Sequence, residues 1–92
     1  MNKENSPKLI SIKIVGRNKI YFDEYVTAVT SVNEKGVFDI LPTHANFISI
    51  IKDTLTIHKK SGERQEFKFP VGVLKVFHGK VTVYLDTIST KS

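Results

Sequence analysis

No cysteine stands anywhere in the 92 residues, so a disulfide framework, a thiolate metal site and a cysteine nucleophile are all excluded. No apolar run approaches the roughly 18 residues of a membrane span, and the polar opening "MNKENSPK" has no signal-peptide core; a soluble chain is the expectation. The five glycines, at 16, 36, 62, 72 and 79, stand alone, so there is no glycine-rich phosphate loop. The G-x-S-x-G of a serine nucleophile elbow is missing. Only three imidazoles exist, His44, His58 and His78, and none are at the i, i+2 or i, i+4 spacing that aims two nitrogens at one ion. The acidic residues, among them Asp23, Glu24, Glu34, Asp53 and Glu63, fall mostly in turns and form no acid/base dyad. No catalytic, cofactor-binding or metal-ligating residue is predicted.

What the chain does have is period two. A composition of 40% apolar and 25% charged residues fits one small globular domain. In "KLISIKIV" (8–15), Ile10, Ile12 and Ile14 share one face, as a half-buried strand requires. Further strands are predicted at 19–22, 25–32, 37–41, 47–51, 54–60, 65–69, 73–77 and 80–86. "NEKG", "SGER" and "HG" supply turn chemistry between them. The fold class is therefore all-β, a small antiparallel sandwich or flattened barrel of about eight to ten short strands. It spans residues 8–87, with tails at 1–7 and 88–92.

The net charge of +5 leaves two readings open. Basic residues scattered singly along alternating strands form a solvated face. Lysines interleaved with aromatics, as in "FKF" (67–69) and "LKVFHGK" (74–80), also fit a small barrel that binds single-stranded nucleic acid. Phe67 and Phe69 share a face opposite Lys68, which core packing predicts equally well.

The segment "GVFDILPTHANFIS" (36–49) resembles the "G-x-x-G-I-L-P-G-H-A-P-L-L-T" signature of the F-type ATP synthase epsilon subunit (mitochondrial delta), with Ile40-Leu41-Pro42, His44 and Ala45 in register. The family's "G-G-x-L-x-V-x-x-x-x-V-T-V-L-A-D" is similar to Val71–Val76 followed by Val81–Asp86, and its "V-x-x-V" to Val26 and Val29. The likeness runs from about residue 9 to 87. Departures fall in turns: Thr43 and Val71 stand for glycines, Asn46 for a proline, Asp53-Thr54 for Pro-Gly.

The resemblance implies a non-catalytic central-stalk rotor subunit without cofactor. Its partners would be the gamma subunit and the c-subunit ring, with no nucleic acid. It would sit peripherally on the cytoplasmic face of an energy-transducing inner (plasma) membrane. The family's C-terminal helical hairpin, linked to inhibition of hydrolysis, has no counterpart in these residues, so that role is not carried over. Glu34, Val37, Asp39, Thr43, His44 and Ser49 fall where the family meets the c-ring or gamma. Ile40, Leu41 and Phe47 read as core and Pro42 as the corner. His44 is left between a partner contact and a bond to its own backbone.

Overall fold

Seven strands, β1 (Ile10–Val15), β2 (Ile20–Val26), β3 (Ala28–Asn33), β4 (Gly36–Ile40), β5 (Phe47–His58), β6 (Arg64–Phe77) and β7 (Lys80–Leu85), make up nearly all of the computed structural model. The model describes residues 8–42 and 45–88. They form one sheet in the order β2-β1-β7-β6-β5-β3-β4. The sheet folds over on itself, because strands that share no ladder meet across the core. Phe22 on β2 packs edge-on to Phe67 on β6 with ring centroids 6.0 Å apart, an arrangement favoured by the ring quadrupoles. Inward residues of all seven strands, including Ile12, Val26, Val29, Ile40, Leu55, Leu74 and Val83, join in a single buried cluster.

The strand count is seven among the described residues, where sequence periodicity gave eight to ten. Two expected pairs, 47–51 with 54–60 and 65–69 with 73–77, are continuous strands of 12 and 14 residues. Both are bent at one level, where the register shifts between Lys52 and Asp53. Asp53 adopts a φ of 68° there, and Pro70 lies opposite, where the irregular ladder tolerates a residue without an N–H. The bend interrupts the alternation and mimics a strand end in the sequence. A second difference is that β1 and β7 pair in parallel while all other pairs are antiparallel. A parallel pair needs a long crossover, and here nearly the whole chain supplies it.

The bulge leaves Asp53 and Thr54 without partners on β3. The Ser31 hydroxyl donates to the Thr54 carbonyl at 2.7 Å, and Ser31 is the buried polar residue of the core. Ser31→Ala removes that donor from a buried site and is expected to cost about 1–3 kcal/mol, read as a lower urea midpoint at unchanged slope.

Leu41, expected in the core, is exposed, whereas Ile40 is fully buried and Phe47 packs against the core. The chain leaves the ladder after Ile40, so Leu41 has no inner face to join. The tail at 1–7 and residues 89–92 lie outside the described residues. Ile88, placed in the second tail, packs partly buried against the core.

Candidate interaction surface

Strand alternation that buries one face exposes the other, and on this sheet the exposed face is apolar along one line. Registered pairs place Ile20, Val15, Tyr84, Val73 and Ile50 side by side across β2, β1, β7, β6 and β5. Four strand spacings make the row about 19 Å long. Ile48 and Val71 widen it on either side, two residues along their strands. Ile48 is 67% and Ile50 60% exposed, with Val71 at 51%. The exposed apolar residues are thus contiguous, unlike the single ones scattered over every monomer surface.

The next row outward runs Val71, Lys52, Val32 and Val37 across β6, β5, β3 and β4. Val37 is 73% exposed. Beside it, a groove of about 690 Å³ separates the β3–β4 turn from β5 and β6, lined by Asn33, Glu34, Lys35, Ile50, Lys52 and Val71, among others. Ser49 also lines this groove. Its hydroxyl accepts from Asn33 Nδ2 at 3.2 Å, which ties the turn to β5.

The structure thus gathers Glu34, Val37 and Ser49 at one end of the apolar row. Asp39 lies two residues along β4 from Val37, in a polar row with Thr30, Thr56 and Glu66. Thr30 donates to its carboxylate at 2.6 Å, and His58 Nε2 sits 2.8 Å from the same hydroxyl. Thr30 has one hydrogen, so the imidazole Nε2 must carry its own and donate. Asp39 is therefore already engaged within the fold. Thr43 and His44 lie outside the described residues. The flanking Asn46 is tied to the β6–β7 turn, its Oδ1 accepting from the His78 N–H at 2.8 Å. His78 and Gly79 make the β6–β7 turn with φ of 51° and 78°, the left-handed pair that a two-residue hairpin requires.

Ile48, Ile50, Val71, Val73 and Tyr84 are not among the interface residues expected from the resemblance. The available signal was "FISII", apolar on both faces, which is how a strand covered on both sides reads. Of the aromatic and basic residues, Phe69 is buried and Phe67 packs on the core, while Phe77 is exposed.

Comparison with known proteins accounts for the fold. The ATP synthase epsilon chain of Sulfurovum sp. (strain NBC37-1) is 33% identical over 81 residues, 86% of this chain and 62% of that one. The epsilon chain of Geotalea uraniireducens (strain Rf4) is 31% identical over 78 residues, 85% of this chain and 56% of the relative. The chain thus spans about three-fifths of the length of these curated relatives. Among solved structures, a chain of the Euglena gracilis mitochondrial ATP synthase OSCP/F1/c-ring assembly superposes with a TM-score of 0.83 at 18% identity, over 96% of this chain and 57% of that one. A chain of the Tetrahymena thermophila mitochondrial ATP synthase central stalk/c-ring does so with a TM-score of 0.73 at 11% identity, over 86% and 64%. The family model for the beta-sandwich domain of the ATP synthase delta/epsilon chain matches residues 9–91. The chain belongs to that ATP synthase delta/epsilon beta-sandwich family.

Proposed function

We propose that the chain is a non-catalytic subunit of the central stalk of F-type ATP synthase, turning with the gamma subunit and the c-ring and coupling ion flow to ATP synthesis. The outward apolar row across five strands carries this reading. It is surface that the chain's own core leaves uncovered, and a permanent partner removes it from water. Gamma occupies the row. The β3–β4 end, with Glu34 and Val37, faces the c-ring, and Thr43 and His44 belong to the same end by resemblance. A rotor has no need of reactive groups, only of stiffness, and a close-packed β interior has low compressibility. The complex would hold the chain at the cytoplasmic face of the membrane.

The test is co-sedimentation of the purified chain with its cognate gamma subunit and with the gamma–c-ring complex. The expected result is a stoichiometric complex with each. A chain that binds neither, yet retards a labelled oligonucleotide at moderate salt, would falsify the rotor reading in favour of the nucleic-acid one.

A further inference from the structure

Lysines stand in the rows on either side of the apolar line, two in one and one in the other. One runs Ile48, Lys75, Thr82 and Lys13 across β5, β6, β7 and β1; the other places Lys52 beside Val71. Lys80 follows two residues beyond Thr82 on β7, next to Phe77. All four lysines are exposed. Each flanking row lies about 7 Å from the apolar one, within reach of a lysine side chain laid along the surface. The ion pair found among the described residues is Arg17 with Asp86, at 2.6 Å. Asp23 stands opposite Lys13 in register, and no bridge forms between them.

Resting on the proposed gamma docking, we infer that this face selects a partner ridge that is apolar along its crest and flanked on both sides by carboxylates. Lys52 engages one flank, and Lys75 with Lys13 the other. The apolar row holds the complex together, and the lysine rows set its orientation and speed of encounter. Rim charges act mainly in that way, through the association rate and its salt dependence. Lys13, Lys52, Lys75 and Lys80 thus border the apolar surface, while Lys60 and Lys68 lie elsewhere.

The experiment measures association and dissociation of the full chain with purified gamma between about 50 mM and about 500 mM salt, a range over which the screening length drops to a few ångströms. The parent is compared with the pair Lys52→Glu/Lys75→Glu and with the control pair Lys60→Glu/Lys68→Glu; thermal melting verifies folding. The expected result is an association rate that falls about tenfold or more with salt. At low salt the Lys52/Lys75 pair should show a comparable loss, and the control pair should associate as the parent does. Tight binding that ignores salt, or equal effects of both pairs, overturns the carboxylate-flanked ridge and leaves gamma docking standing. Absence of gamma binding at every salt concentration removes the docking itself and this inference with it.

Discussion

Ile50→Glu combined with Val73→Glu is expected to abolish measurable assembly with gamma while the isolated chain still folds. Both residues lie in the middle of the apolar row, opposite each other on β5 and β6, and neither belongs to the core cluster. In water, the two carboxylates remain solvated, and the loss of β-propensity costs at most about 1 kcal/mol per site. Inside an interface the same groups would be stripped of water, with a penalty of several kcal/mol per unpaired ion. Hot spots cluster near the centre of an interface and cost about 2 kcal/mol or more each, so affinity should drop by at least about a hundredfold. Calorimetric titration against gamma reads the loss, and circular dichroism of the isolated variant reads the retained fold. Parent-like affinity in a folded variant would place the contact elsewhere on the molecule.

Gly72→Val is expected to do the opposite, damaging the fold itself. A Cβ at residue 72 would sit 2.4 Å from Leu85 Cδ2 and 3.1 Å from the Tyr84 carbonyl oxygen. Leu85 is a buried core side chain, and the carbonyl belongs to the neighbouring strand, so neither gives way freely. Overpacking of this sort costs about 1–3 kcal/mol, and at the upper end a domain of this size loses roughly 15 °C in melting temperature. The adjacent Val71→Gly changes a residue on the exposed side, and its cost is mainly chain entropy, about 1 kcal/mol. Differential scanning calorimetry should rank the two variants in that order. An equal loss from both would mean that Leu85 does not pack over residue 72.

These neighbours also show what was legible in the sequence. Where the family motif has two glycines, this chain keeps the inward one and replaces the outward one with valine. The resemblance flagged the departure at Val71, but only the register with Lys52 reveals that it enlarges the apolar face. Ile10, Ile12 and Ile14 are legible as one buried face, because strict alternation over an unbroken strand leaves one solution. β5 reads as two strands in the sequence because Lys52 and Asp53 interrupt the alternation between 47–51 and 54–60, and nothing local distinguishes a bend within a strand from its end. Leu41 reads as core in the sequence because apolarity does not say where the ladder stops. Val37 was legible through the family motif, whereas Ile48 and Ile50 were hidden inside an apolar run whose two faces meet different surroundings.

The bend shared by β5 and β6 has a mechanical consequence. These two strands run beside each other from the Phe47–Val76 pair to the His58–Arg64 pair, through both halves of the folded sheet. A sideways load applied at Ile50 and Val73 reaches the far half as shear along that ladder, where many hydrogen bonds are strained together rather than opened one after another. The bulge at Asp53 is the point at which the direction of that load turns, so its stiffness sets how far one half of the molecule can lag behind the other.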